Sequence, residues 1–168
     1  RPKCPDARFT DTPWHQDGQY FREQAHIHIM TVWFPLHAVD AQSSCLAVSS
    51  DLHKKNPGCM GEQPLKRATS LFENFLYEDN GFIGIRRDEA KGLTTIPIAM
   101  ERGDALCFPQ LTPHRAMPNE TNLMRWSMDL RFLSADRALP AAMQQGMVVR
   151  SKDPARLTSY GDWKKKWE

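Results

Sequence analysis

The 168-residue chain has no apolar run approaching the roughly 20 residues that a membrane-spanning helix requires, so no membrane partner is expected. It also lacks an excess of either charge. The 22 Lys and Arg against 20 Asp and Glu leave a net charge of +2, too little to build a field for nucleic acid or an anionic surface. The basic run Lys164-Lys165-Lys166 is short and reads as a solvated helix face. The four cysteines, at 4, 45, 59 and 107, form no CxxC pair and match no zinc spacing. Cys45 and Cys107 lie in apolar runs and read as small core residues. A reduced, cytoplasmic setting is therefore expected in place of a disulfide framework. Internal repeats and low-complexity tracts are absent too. The first residue is Arg1 and not Met, which reads as a chain that starts partway through its gene product or has been processed. The lack of a leader peptide then says little.

What is present fits one globular domain over 1–168: 40% hydrophobic residues, in a chain long enough to bury about 70% of its unfolded surface. Most of the chain alternates between short extended runs and turn residues. Residues 1–13 read as the end of a strand and a loop. Ile27–Leu36, with Thr31, Val32, Trp33 and Phe34, reads as a strand buried on part of both faces and closed by Pro35. Cys45–Val48 is a shorter strand. Residues 54–67 form a polar excursion around Asn56-Pro57-Gly58. Ala68–Glu78 reads as a short helix, because Leu71, Phe72, Phe75 and Leu76 share a helical face, or as an irregular lid. Asp79-Asn80-Gly81 ends it in either case. Glu101-Arg102-Gly103-Asp104 is a turn between two strands. Asn122–Phe132 alternates Met124, Trp126, Met128, Leu130 and Phe132 with Arg125, Ser127, Asp129 and Arg131, which predicts a strand with Arg125 and Ser127 on one face. Near the end, Asp153-Pro154 and Ser159-x-x-Asp162 are helix-start signals, with Trp163 and Trp167 four apart. Many short strands and few helices predict a mainly β sandwich or barrel.

The chemistry concentrates at Trp14-His15-Gln16-Asp17. Residues two apart on a strand point the same way, so His15 and Asp17 present an imidazole and a carboxylate to one point. They supply two of the three ligands of a 2-His-1-carboxylate iron site. His114 is the candidate third, ten residues after Asp104, and Arg125 follows eleven residues later on the alternating strand. His26-x-His28 has same-face spacing as well, but Ile29–Pro35 contains no glutamate to complete a cupin-type set, so this pair is placed at the substrate mouth or in solvent. His37 and His53 read as loop or hydrogen-bonding histidines, and Arg131 as a solvated or salt-bridged strand residue.

These marks, Trp14-His15-Gln16-Asp17, Trp33-Phe34-Pro35-Leu36, and Gly103-Asp104 through His114 and Asn119 to Arg125, resemble the phytanoyl-CoA dioxygenase-like branch of Fe(II)/2-oxoglutarate oxygenases over roughly residues 3–132. The resemblance implies a double-stranded β-helix (jelly-roll) with a few short helices. It also implies iron held by His15, Asp17 and His114, and Arg125 paired with the distal carboxylate of 2-oxoglutarate. Trp33, Ser127 and Gln16 are further candidate contacts to the cosubstrate. Two imidazoles and a carboxylate hold Fe(II) on one face, leaving two positions for the cosubstrate and one for O2. An arginine suits the distal carboxylate because its planar fork binds bidentately, as lysine cannot. The implied reaction hydroxylates a small organic or natural-product metabolite, releasing succinate and CO2. Desaturation, epoxidation or ring closure at the same site is an alternative, and so is a non-catalytic jelly-roll binding module. Related halogenases carry a small residue at the position of Asp17, so its carboxylate argues against halogenation. Trp14, Tyr20, Phe21 and Phe108 flank the motif, as substrate-pocket or plain core aromatics.

The chain also departs from the family pattern. Ser44-Cys45-Leu46 stands where Gly-x-Leu is usual, and Ser50-Asp51-Leu52-His53 where Pro-Gly-Ser-His is usual, which points to a changed loop and weakens an acyl-CoA substrate. Ala116 replaces a serine often found two residues after the distal histidine. Only about a dozen residues precede His15, where the family has helices and a first strand. The expectation is the core of a longer protein, with its oligomeric state left open.

Overall fold

The structure is a computed structural model that describes residues 1–5, 12–18, 29–50, 72–77, 80–85, 90–134, 146–166 and 168. Its strands are β1 (Pro2–Lys3), β2 (Ile29–Pro35), β3 (Leu46–Val48), β4 (Phe72–Tyr77), β5 (Asn80–Ile85), β6 (Ile96–Ile98), β7 (Leu106–Pro109), β8 (His114–Ala116) and β9 (Arg125–Leu133). One sheet has the order β1-β9-β2-β7, a second β6-β3-β8, and β4 and β5 form a separate hairpin. Every pairing with a described register is antiparallel. Trp33 and Phe108 from the first sheet pack with Leu46 and Ala116 from the second, beside Val39, Cys45 and Met100. This is the mainly β, jelly-roll architecture expected from the sequence.

The alternation on β9 is as predicted, but its polarity is inverted. Arg125 and Ser127 are buried, while Trp126, Met128, Leu130 and Phe132 are each more than two-fifths exposed. An inward row of polar groups is tolerated only where those groups satisfy one another or a ligand, so the inversion marks the wall of a site. On β2, Ile29, Thr31 and Trp33 form the buried phase.

Two turns set the frame around that wall. Gly103, at φ +108, occupies a backbone conformation suited to glycine, and Asp104 closes its turn by accepting from the Glu101 amide at 2.9 Å. The Asp40 carboxylate accepts from the amides of Gln42 (3.0 Å) and Ser43 (2.9 Å), an Asx-type turn that delivers Ser44. The Asn119 side-chain amide donates to the carbonyls of Lys3 (3.0 Å) and Leu123 (2.8 Å), tying β1 to the approach to β9.

Two expectations are corrected. Cys45 is a buried core residue, but Cys107 is exposed on β7, out of phase with the buried Phe108. Ala68–Glu78 is neither helical nor irregular over its described part. Phe72–Tyr77 is a strand paired with Asn80–Ile85, Tyr77 opposite Asn80. Asp79-Asn80-Gly81 is the chemistry of a tight strand reversal, and the aromatic and β-branched residues on either side favour a pleated ribbon. Four apolar positions in a short window fit a helical face without excluding that outcome.

Arg1–Phe132 forms one compact unit and Leu133–Glu168 another. In the second, Asp153 caps a 3-10 turn at Pro154–Arg156, and Ser159 caps α1 (Tyr160–Lys164) by accepting from the Asp162 amide at 3.1 Å. Trp167 lies outside the described residues.

Candidate metal and cosubstrate site

His15 and His114 are neighbours through their backbones before their side chains meet. Each amide donates to the other's carbonyl at 3.0 Å, a two-way bridge that fixes both Cβ positions on one side. The rings lie 4.0 Å apart between centroids. His114 is held from its other edge by the pairing of β8 with β3, opposite Val48. Asp17, two residues beyond His15, points to the same place. The candidate ligand atoms of His15, Asp17 and His114 all lie within 4.8 Å of one another, and all three residues are buried.

The protonation pattern fits a divalent metal. Nδ1 of His15 lies 2.9 Å from the Pro13 carbonyl and Nδ1 of His114 3.0 Å from the Thr112 carbonyl. A carbonyl can only accept, so both Nδ1 atoms carry the proton and each Nε2 keeps the lone pair that ligation uses. Burial holds both imidazoles below the ordinary 6.5, and His15 is held well below it because His114 also faces it. Burial alone would raise the Asp17 carboxyl, but hydrogen bonds from Arg131 and Thr31 and the nearby His114 outweigh it and hold it below 3.8. Two neutral imidazoles and one ionised carboxylate on one side of a cavity are the donor set that suits Fe(II).

Arg125 lies on the wall of the same cavity, 2% exposed. Its Nε donates to the Ser44 carbonyl at 2.9 Å, one terminal nitrogen donates to Ser127 Oγ, and the other sits 3.5 Å from Ser44 Oγ. The Trp33 ring centroid is 5.5 Å from its guanidinium carbon. Burial lowers Arg125 to about 10, which leaves it cationic at neutral pH. Among the described residues no carboxylate lies within ion-pair distance of it. A buried guanidinium whose described partners are neutral acceptors is suited to receive a ligand carboxylate.

The cavity has a volume of about 40 Å³ and is open at its mouth. His15, Asp17, His114, Arg125, Ser127, Trp33 and Phe108 all line it, so the structure brings together seven of the residues singled out in the sequence. Trp14 and Gln16 do not line it. Trp14 packs with Ala47, Ile85 and Leu93, and the Gln16 amide donates to the Leu111 carbonyl. His15 is an isolated bridge residue and Asp17 lies in a 3-10 turn, so this segment is not the regular strand expected, although 15 and 17 still meet at the cavity. Tyr20, Phe21, His26, His28 and His53 lie outside the described residues. His37 is a hydrogen-bonding loop histidine, as expected, its Nε2 accepting from the Trp126 amide at 3.0 Å.

Other groups at the site carried no motif. Thr31 donates its hydroxyl to Asp17 Oδ2 at 2.5 Å; its only sequence signal was being in phase with Trp33 on β2. Ser44 stands at φ +63, a left-handed conformation rare for a non-glycine residue. It occupies the place where a glycine is usual, and it grips Arg125 through its carbonyl. Arg131, expected to be salt-bridged or solvated, is salt-bridged, with Asp17 as a partner at 2.9 Å.

With this geometry in view, the phytanoyl-CoA dioxygenase (PhyH) family model matches residues 3–127. The chain belongs to the phytanoyl-CoA dioxygenase family. Solved structures similar to this family member include EvdO2 from Micromonospora carbonacea var. aurantiaca, with 23% identity and a TM-score of 0.58 over 80% of this chain and 49% of that one. EvdO2 complexed with 2-oxoglutarate matches at 21% identity and a TM-score of 0.53, with the same coverage. AviO1 from Streptomyces viridochromogenes Tue57 matches at 14% identity and a TM-score of 0.50, over 82% of this chain and 49% of that one. These likenesses concern the fold. The chain spans about half the length of the solved structures it matches. A comparison with curated proteins gave no match. Among the described residues, no helix is long and apolar enough to cross a membrane.

Proposed function

We propose that this PhyH-family chain carries the site of an Fe(II)- and 2-oxoglutarate-dependent oxygenase that hydroxylates a small organic or natural-product metabolite, with O2 consumed and succinate and CO2 released. The observation that carries the reading is one cavity containing both His15, Asp17 and His114 within 4.8 Å and the buried Arg125, which pairs with no carboxylate among the described residues. In this reading His15 Nε2, His114 Nε2 and one Asp17 oxygen hold the metal, and Arg125 with Ser127 receives the distal carboxylate of 2-oxoglutarate. Bound iron with its cosubstrate supplies the oxidising chemistry. The chain's own residues orient and enclose it: Trp33 shields Arg125, Phe108 packs 4.6 Å from the His114 ring, and the Pro13 and Thr112 carbonyls keep both imidazoles in the ligating tautomer. The 2-oxoglutarate complex of EvdO2 supports this choice of cosubstrate. The free thiols of Cys4, Cys45 and Cys107 are consistent with a cytoplasmic setting.

The test is consumption of 2-oxoglutarate by purified protein with and without Fe(II), read as succinate formed. Turnover should require iron and should vanish in His15→Ala and Asp17→Ala. Undiminished turnover in Asp17→Ala would remove the basis of the reading, and product analysis would separate hydroxylation from desaturation or ring closure.

A further inference from the structure

The face of β9 that buries Arg125 and Ser127 continues to the half-buried Asp129 and to Arg131, which is more exposed, and both line the cavity. Arg131 Nη2 donates to Asp17 Oδ1 at 2.9 Å and its Nη1 to Asp129 Oδ2 at 3.0 Å. Asp129 is held in turn by Arg1 Nε at 2.9 Å. From β2, the neighbouring strand of the same sheet, the Thr31 hydroxyl donates to the other Asp17 oxygen, Oδ2. Both oxygens of one buried carboxylate are thus fixed by two adjacent strands.

The two oxygens are not equivalent. Oδ1 is the one placed 3.9 Å from His15 Nε2, facing the cluster, whereas the Oδ2 contact with Thr31 is the shorter. A carboxylate oxygen accepts at two lone-pair positions, so Oδ1 can hold Arg131 with one and present the other to a metal. A guanidinium near a divalent ion also repels it. Asp129, on the far side of Arg131, offsets part of that charge but is shared with Arg1, so the directional hydrogen bond and the remaining charge act on metal affinity in opposite directions.

We propose that Arg131 is a positioning residue for the metal centre: with Thr31 it fixes the plane of the Asp17 carboxylate so that Oδ1 alone is offered as a single-oxygen ligand. The inference rests on the proposed reading of His15, Asp17 and His114 as a metal site and adds a residue that the HxD…H pattern does not contain.

Mn(II), of the same charge and similar ligand preference to Fe(II), is the probe. Its affinity is measured without cosubstrate or substrate, on the whole chain, for the parent, Arg131→Met, Arg131→Gln and Thr31→Val. Partners that orient a metal ligand contribute roughly 10- to 100-fold to affinity. Arg131→Met should therefore bind Mn(II) at least tenfold more weakly. Arg131→Gln, which keeps a neutral N–H donor, should recover to within a few-fold of the parent. Thr31→Val should also weaken binding and should broaden the Mn(II) electron paramagnetic resonance lines as the carboxylate loses its fixed orientation. Circular dichroism separates these effects from unfolding, and if the methionine variant does not fold, the glutamine and valine variants decide. Tighter binding in Arg131→Met would show that the charge dominates and would overturn the proposal, as would unchanged binding. If the parent protein binds no Mn(II) at all, the metal-site reading itself has failed, which is a different outcome from a parent that binds and variants that match it.

Discussion

Replacing Arg125 with lysine keeps the positive charge and removes the fork, so it isolates what the fork contributes. The guanidinium donates from Nε to the Ser44 carbonyl at 2.9 Å and from a terminal nitrogen to Ser127, and it is 2% exposed. Lysine cannot satisfy Ser44, Ser127 and a ligand carboxylate in those directions at once. A hydrogen bond to a charged group contributes about 1.5–3 kcal/mol, so losing one arm of a bidentate grip should weaken 2-oxoglutarate roughly 10- to 150-fold. The Ser44 carbonyl, left without its donor, should lower folding stability by about 1–3 kcal/mol. The assay is calorimetric titration of Mn(II)-loaded protein with 2-oxoglutarate and, separately, with 2-oxobutyrate, which has the same 2-oxo acid head and no distal carboxylate. Arg125→Lys should weaken the first ligand and leave the second within about threefold. An equal loss for both ligands would refute the reasoning, because the effect would then have come from the metal end of the cavity.

Removing either imidazole, as His15→Ala or His114→Ala, should abolish Mn(II) binding in an equilibrium titration while the two sheets remain folded by circular dichroism. Metal-free protein should lose stability on acidification. Burial lowers both histidines in the folded state relative to 6.5, so below about pH 6.5 the unfolded chain binds protons that the folded chain refuses, and stability falls with pH. Thermal midpoints between pH 7.5 and 5 check this, and saturating Mn(II) should oppose the loss until protons compete for the ligands. At Ser44, with φ +63, Ser44→Gly should be more stable than Ser44→Ala by about 1–2 kcal/mol in urea unfolding, since both lack the hydroxyl and only alanine bears the left-handed strain.

The local pattern of the sequence determined a good deal. The period of two over Asn122–Phe132 gave β9 its alternation and put Arg125 and Ser127 on one face, because that period is a property of the extended backbone alone. The same rule paired His15 with Asp17, and the two do meet at the cavity, although Asp17 lies in a 3-10 turn and not on a strand. His114 and Arg125 came from spacing and residue type as a set. The β4–β5 hairpin was not legible, because its short apolar run fitted a helical face equally well and only pairing between strands decides such a case. Nor could any linear pattern have assigned Thr31 and Arg131 to Asp17, or Ser44 to Arg125. Those contacts span 14, 114 and 81 residues and exist only because β2, β9 and the Asp40 turn are folded against one another. Which oxygen of Asp17 faces His15, and which neutral groups hold Arg125, were decided there, where burial makes every unpaired polar group costly and so selects its partners.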